Sequence, residues 1–191
     1  MNETKTNIVI NNQTRIEDLL IGTKRKGINQ LVDWLRQSDF YTAPASTRPG
    51  FHGCYVGGLA QHSLNVYDVF ENKIKFLQLE NNLNPDERIV ASICHDFCKV
   101  DLYKNNKLAS GEISSSKPYV VKDIFPLGHG EKSVVAAQNL IDLTSQEMLL
   151  IRWHMGTYDP SWDRYDDKIQ KACPLITAFH NSDNEASKYL D

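Results

Sequence analysis

The sequence contains no apolar run approaching the ~18 residues of a membrane span, which excludes an apolar spanning helix. It has little cysteine. Cys54, Cys94, Cys98 and Cys173 form no C-x-x-C pair and read as free thiols of a reducing cytosol rather than a disulfide framework. It has no excess of one charge: 21 Lys and Arg stand against 24 Asp and Glu, a net −3, with a pI near 6.1. That balance weighs against a duplex-binding protein, although a short single strand could still enter a local pocket. Met1-Asn2-Glu3-Thr4-Lys5 is polar and lacks the apolar core of a secretory signal, so a cytoplasmic protein is expected. Repeats, low-complexity tracts and charge blocks are also missing. What remains is an ordinary globular balance, 41% apolar and 24% charged, which argues against disorder and coiled coil. At 191 residues the chain fits one domain with trimmings and needs no disulfide or structural metal simply to fold.

Hydrophobic spacing predicts a mostly helical chain. The first dozen residues, rich in Asn, look strand-like or loose. A helical pattern runs from Thr14 to Ser38, with Ile28, Leu31, Val32 and Leu35 on one face. Pro44 and Pro49 mark a loop over 41–50. A helix begins near Gly58, with Leu59, His62, Val66, Val69 and Phe70 on its inner face. Another opens at Asn84-Pro85-Asp86-Glu87, which supplies an N-cap, a first-turn proline and acidic first-turn residues. It turns Ile89, Val90, Ile93 and Phe97 inward. Periodicity lapses between Val100 and Gly128, where Val100–Tyr103 and Tyr119–Val121 fit a β-hairpin-like insertion around residues 100–122. Helix resumes from Gly128 to Leu143, and Thr144-x-x-Glu147 is a capping box for a helix closing near Gly156. A loop with Asp159, Trp162, Arg164 and Tyr165 follows, then a last helix from about Pro174. The expected fold class is all-α.

The unusual feature is the company that the histidines keep. His95-Asp96 is followed by Lys99. Neighbours on a helix point about 100° apart, so the pair can reach two sides of one ion, and the two oxygens of Asp96 can bridge two. His62 lies 33 residues before His95, His129 lies 33 after Asp96, His154 follows 25 later and Asp183 another 29. Such intervals suit one ligand per helix, as in bundle-built metal sites, and not a zinc finger. Imidazole and carboxylate without thiolate favour Mn²⁺, Fe²⁺, Co²⁺ or Ni²⁺, with Mg²⁺ possible, over a structural zinc. Two divalent ions against two carboxylates leave a positive field, to which Lys99 on the same face adds. That field fits a phosphate and in-line displacement at phosphorus.

His62, His95-Asp96 and Asp183 form an H…HD…D pattern that resembles the signature of the HD-domain metal-dependent phosphohydrolases. The likeness extends to His52-Gly53-Cys54-Tyr55-Val56-Gly57-Gly58-Leu59-Ala60-Gln61-His62-Ser63 and to His95-Asp96-Phe97-Cys98-Lys99. Gly128-His129-Gly130-Glu131-Lys132-Ser133 and Trp153-His154-Met155-Gly156 resemble the extra histidine motifs of binuclear members. His180-Asn181-Ser182-Asp183 resembles the final aspartate helix. In motif wording the chain is closest to the catalytic domain of bacterial 3′–5′ exoribonucleases, without their OB domain. The resemblance covers about Pro44 to Leu190. It divides the chain into an N-terminal tail and helical extension (1–43) and an HD phosphohydrolase domain (44–191). Cys98 stands where the family often has Gly. Met155 stands where many binuclear members have a second His, which bears on a third ion and not on the first two.

The resemblance implies an HD helical bundle with two divalent transition metals held by His62, His95, Asp96, His129, His154 and Asp183. A hydroxide between the ions would hydrolyse a phosphate ester of a nucleotide, a dNTP or a short oligonucleotide. Asp96 and Lys99 are the expected catalytic residues. Lys99, His52, Lys132 and Arg152 are the candidate substrate contacts, although Lys132 and Arg152 also fit plain surface charge. Trp153, Tyr158, Trp162 and Tyr165 could stack on a base or pack a loop. His180 fits a helix surface or a contact behind the ligands, and Cys94 and Cys98 a core and a helix end. The alternatives are a 3′–5′ exonuclease or cyclic-nucleotide phosphodiesterase using the same site, a nucleotide-sensing HD module without turnover, and a di-iron oxygenase. Neither duplex DNA nor a membrane is an expected partner, and a homo-oligomer is compatible with the sequence.

Overall fold

A computed structural model describes residues 3–191. Among them are eight helices: α1 (Glu3–Gly22), α2 (Ile28–Gln37), α3 (Gly58–Phe76), α4 (Pro85–Cys94), α5 (His129–Gln138), α6 (Ser145–Trp153), α7 (Trp162–Ala172) and α8 (Ile176–Tyr189). Strands β1 (Tyr103–Asn105) and β2 (Tyr119–Val121) pair antiparallel, with Tyr103 opposite Val121. The chain is therefore mostly α, with a small hairpin between α4 and α5. None of the described helices is long and apolar enough to cross a membrane. All four cysteines are free thiols.

The helix starts follow the sequence signals. The Asp86 N–H donates to Asn84 Oδ1 at 2.9 Å and the Asn84 N–H to Glu87 Oε2 at 3.1 Å. Thr144 and Glu147 make the same reciprocal cap on α6. Each cap satisfies backbone donors that have no partner within the helix.

Four elements differ from expectation. Residues 3–12 are helical, not strand-like; residues 1 and 2 of the expected tail lie outside the described residues. Val9, Asn12, Ile16 and Leu20 form a buried stripe at helical spacing, and the polar Asn12 disguises it. Asn12 belongs to that stripe because its Nδ2 donates to Gln61 Oε1 on α3 at 3.0 Å. The expected continuous helix over Thr14–Ser38 breaks at residues 23–27, where Lys24 and Gly27 take positive φ. The expected loop around Trp162 and Tyr165 is α7, whose buried Trp162 and Ile169 lie seven positions apart on one face. The first strand begins at Tyr103, not Val100, because Val100 and Leu102 donate backward to the Phe97 and Lys99 carbonyls in a tight turn.

One buried cluster runs from Val9 and Leu20 through Leu31, Leu64, Ile93 and Leu150 to Phe179, so α1 and α2 share a core with the later helices. Phe70 on α3 meets Phe179 on α8 edge-on at 4.9 Å. Helix α5 approaches α6 at Gly130, where a Cβ would lie 2.0 Å from the Arg152 carbonyl oxygen. That approach brings the start of α5 to the end of α6.

The α1–α2 turn is tied to α6 by a buried charge. Arg25 pairs with Glu147, whose side chain is fully buried, and donates to the Asp142 carbonyl at 2.6 Å. Burial pushes the Glu147 carboxyl up, while Arg25 and the Thr144 N–H pull it back. Removing one partner of a buried pair strands the other charge. Arg25→Ala should cost about 3 kcal/mol, the low end for a buried pair, because Arg25 keeps 19% of its side chain exposed. The loss should appear as a lower urea midpoint with an unchanged slope, and Glu147→Gln should recover part of it in the double variant. An unchanged midpoint in Arg25→Ala would contradict this account.

Candidate metal centre

Two helices end in the same way. His95 caps α4 and its Nδ1 lies 2.8 Å from the Ser92 carbonyl oxygen. His154 caps α6 and its Nδ1 lies 2.7 Å from the Ile151 carbonyl oxygen. The last carbonyls of a helix lack intrahelical donors, and a carbonyl only accepts. Both Nδ1 atoms therefore carry hydrogen, and both Nε2 atoms present a lone pair. His62, in the second turn of α3, follows the same rule through a carboxylate, with Nδ1 2.6 Å from Asp191 Oδ2. Outer hydrogen bonds of this kind fix the tautomer and orientation of metal-binding imidazoles.

The three Nε2 atoms turn toward Asp96 and Asp183. His62 Nε2 lies 3.0 Å from Asp183 Oδ1 and 3.6 Å from Asp96 Oδ2. His95 Nε2 lies 3.3 Å from His62 Nε2 and 3.5 Å from Asp96 Oδ2. The other oxygen of Asp96 faces another pair: Oδ1 is 2.8 Å from His129 Nε2 and 3.8 Å from His154 Nε2. Asp96 thus divides its two oxygens between two donor sets. The groups His62–His95–Asp96, His95–His154–Asp183 and Asp96–Cys98–His129 each gather three ligand atoms within 4.8 Å of one another. His62, His95, Asp96 and His154 are buried, and Asp183 and His129 are partly open to a cavity of about 500 Å³.

These buried groups could hold a metal ion, and two observations fit that use. His154 Nε2 is fully buried and has no hydrogen-bond partner among the described residues. An unpaired buried acceptor is costly unless a cation completes it. The titrations point the same way. Burial disfavours charge on His62, but hydrogen bonds to Asp183 and Asp191 outweigh it and raise its pKa to about 9. Burial likewise opposes charge on His129, but Asp96 and Cys98 raise it to about 10. Burial and the neighbouring His95 depress His154 to about 3. Burial would raise Asp96, yet the Lys99 charge and the hydrogen bond from His129 hold it well below the usual carboxylate range. The cluster sets two buried carboxylates among imidazoles, and a divalent ion could balance their charge.

All six expected ligands converge on this centre. Lys99, in the 3₁₀ turn Phe97–Lys99 after α4, is buried with Nζ 2.7 Å from Asp96 Oδ2. It also donates to His52 Nε2 at 3.3 Å. Burial and the nearby Lys99 charge lower His52 to about 4, so its ring is neutral. His52 and Lys99 both line the cavity. Lys132 and Arg152 do not join them among the cavity-lining residues. Lys132 pairs with Asp123 at 2.6 Å, and Arg152 pairs with Glu131 and Asp159 while lying 3.9 Å over the Trp153 ring. Trp162 and Tyr165 both pack against Trp153, leaving Tyr158 as the one of the four aromatics at the cavity.

Behind these side chains the structure places His180, as one of its two sequence readings allowed, and adds Asp191 and Asn65. Asp191 and Asn65 form a chain behind His62, with Asn65 Nδ2 2.6 Å from Asp191 Oδ1. His180 Nδ1 lies 2.7 Å from the His154 carbonyl oxygen, its ring fitted against Gly156, where a Cβ would come within 2.8 Å. Cys98 Sγ lies 3.3 Å from His129 Nδ1. Cys98 had a sequence signal, its position two residues after Asp96; Asp191 had none. Comparison with family models, curated proteins and solved structures returns no match.

Two outcomes are expected. Asp191→Ala frees the ring of His62, so Mn²⁺ affinity measured by calorimetry should fall about 10–100-fold with the stoichiometry retained. Unchanged affinity would remove Asp191 from the centre. Near neutral pH, His62 and His129 hold protons that a metal must displace. Metal uptake should therefore release protons, read as a dependence of the heat on buffer ionisation enthalpy, and affinity should rise with pH. Uptake without proton release would contradict the assigned protonation.

Proposed function

We propose that the chain is an HD-type metal-dependent phosphohydrolase acting on a nucleotide, a dNTP or a short oligonucleotide. The observation that carries this reading is the division of Asp96 between two donor sets, with a buried lysine ammonium against one of its oxygens. On this reading His62, His95, Asp96 and Asp183 hold one divalent ion, and Asp96, His129 and His154 hold the other. Residues 44–191 then form the catalytic domain and residues 1–43 the helical extension.

Bound divalent ions lower the pKa of water and neutralise phosphoryl oxygens. The chain's own residues supply the rest. Lys99 is held charged, because Asp96 outweighs the cost of its burial and raises its pKa above the ordinary lysine value. It is placed to bind a phosphoryl oxygen and to offset the charge that builds there during displacement. His52 accepts from Lys99 through Nε2, so its hydrogen sits on Nδ1 as a neutral donor for a second oxygen. At the mouth, Phe51 and Tyr158 are each 64% exposed and offer flat apolar faces. Such faces suit a base, which stacks without sequence preference. Asn184 and Ser187 complete the wall with hydrogen-bonding groups. A cavity of about 500 Å³ falls in the range of small-ligand sites and suits a nucleotide or the end of a strand.

The test is a panel of nucleoside mono-, di- and triphosphates, cyclic nucleotides and short oligonucleotides with Mn²⁺, Co²⁺, Ni²⁺ or Mg²⁺. At least one class should be hydrolysed in a metal-dependent way. Lys99→Ala should lower kcat about 10²–10³-fold, as loss of one charge-stabilising group does. Asp96→Ala should abolish turnover. Hydrolysis by Asp96→Ala at the parental rate overturns the proposal, and binding without turnover across the panel points instead to a nucleotide-sensing module.

A further inference from the structure

Helix α8 lines the cavity with more than Asp183. Asp183, Asn184 and Ser187 follow His180 at three, four and seven positions, which sets them on one face of the helix, and all four border the cavity. The hydrogen-bond rule that fixes the tautomers of His95 and His154 holds for His180 as well. Its Nδ1 lies 2.7 Å from the His154 carbonyl oxygen at the end of α6, and a carbonyl only accepts, so Nδ1 carries the hydrogen. Nε2 is left with a lone pair. That nitrogen makes no hydrogen bond among the described residues, and it stays open rather than buried. Gly156, at φ +52°, forms the seat of the ring, since a Cβ there would come within 2.8 Å of it. The ring is therefore held at its Nδ1 edge and across its face, and Nε2 is its free edge.

We propose that this face of α8 reads the sugar of a nucleotide, with His180 Nε2 accepting a hydrogen bond from a sugar hydroxyl. The inference rests on the reading of the centre as a nucleotide phosphohydrolase. His180 stands one helical turn from Asp183, and a sugar begins one ester oxygen from the phosphorus that reacts beside Asp183, so the two separations correspond. The side chains along the cavity also divide by charge. Lys99, at the phosphoryl end, is the one Lys or Arg among the described residues that border it. Asn184 and Ser187, at the α8 end, add uncharged hydrogen-bonding groups. That end suits the hydroxyls of a sugar and offers no cation to a further phosphate. The Tyr158 ring, a stacking face at the mouth, lies 6.1 Å from the His180 ring, so base and sugar contacts are neighbours. An acceptor aimed at a hydroxyl discriminates against an analogue that lacks it, because the acceptor is then left without a partner.

The experiment takes the full-length protein, loaded with the metal that supports turnover, and compares the best substrate of the panel with analogues that lack one sugar hydroxyl at a time. For one of these analogues the parent should show a KM about 10-fold higher, the cost of an unpaired polar group, with kcat little changed. Non-hydrolysable nucleoside phosphonates should show the same preference in calorimetric binding, a readout that does not depend on turnover. His180→Asn places an amide N–H where Nδ1–H stood, so it keeps a donor for the His154 carbonyl, but it has no atom at the Nε2 position. It should retain the parental metal stoichiometry, raise KM for the complete substrate about 10-fold and no longer distinguish the deoxy analogue. His180→Gln, which carries an acceptor near the Nε2 position, should recover part of the preference. No preference for any sugar hydroxyl in the parent overturns the proposal, whether or not either variant folds. A preference that survives intact in His180→Asn, or a defect of that variant confined to metal binding, assigns His180 to the support of His154 and overturns it as well. Absence of metal-dependent hydrolysis across the whole panel overturns the phosphohydrolase reading, and this inference with it.

Discussion

A carboxylate buried at the junction of several helices is the constraint around which this molecule is arranged. Asp96 is 2% exposed, and an isolated charge in that position would be strongly destabilising. Its surroundings answer that cost from every side. Lys99 reaches Oδ2 from the same turn, His129 reaches Oδ1 from α5, and His62, His95 and His154 close the remaining directions. The packing of α3, α4, α5, α6 and α8 therefore has a shared electrostatic purpose as well as a hydrophobic one. Gly130 lies next to His129, and only a residue without a Cβ lets the first turn of α5 come this close to the Arg152 carbonyl.

The helix ends are used as orienting devices. At the ends of α4 and α6 a histidine returns its Nδ1–H to the carbonyl three residues back. One hydrogen bond thus satisfies an orphan carbonyl, selects the tautomer and aims Nε2 inward. His62 sits inside a helix, where carbonyls are already engaged, so a distant carboxylate, Asp191, performs that task. The difference follows from where each residue lies along its helix.

The charged residues near the centre divide by geometry rather than by sequence distance. Lys99 and His52 come from separate loops and meet at the cavity. Lys132 and Arg152 are three and two residues from His129 and His154, yet each is neutralised by carboxylates of its own surroundings. A short step along a helix rotates a side chain to another face. Proximity in the chain therefore said little about which cation serves the cavity.

Much of the molecule was legible in the chain itself. The caps at Asn84 and Thr144 follow from local chemistry that needs no tertiary partner, and the inner faces of α2 and α3 follow from helical periodicity. The six-residue pattern of histidine and aspartate was equally plain, because ligand types and their intervals are written in one dimension. Long-range pairing was not. Asn12 looked like part of a polar tail until Gln61 gave its amide a partner, and α7 looked like a loop until Trp162 and Ile169 found a core. Asp191 belongs to the same class: it becomes meaningful only when folding sets it beside Nδ1 of His62. Sequence by itself determined the capped and strongly periodic helices and the supply of candidate ligands. Tertiary structure alone decided which oxygen of Asp96 faces which donors, since that depends on distances between helices that no local propensity encodes.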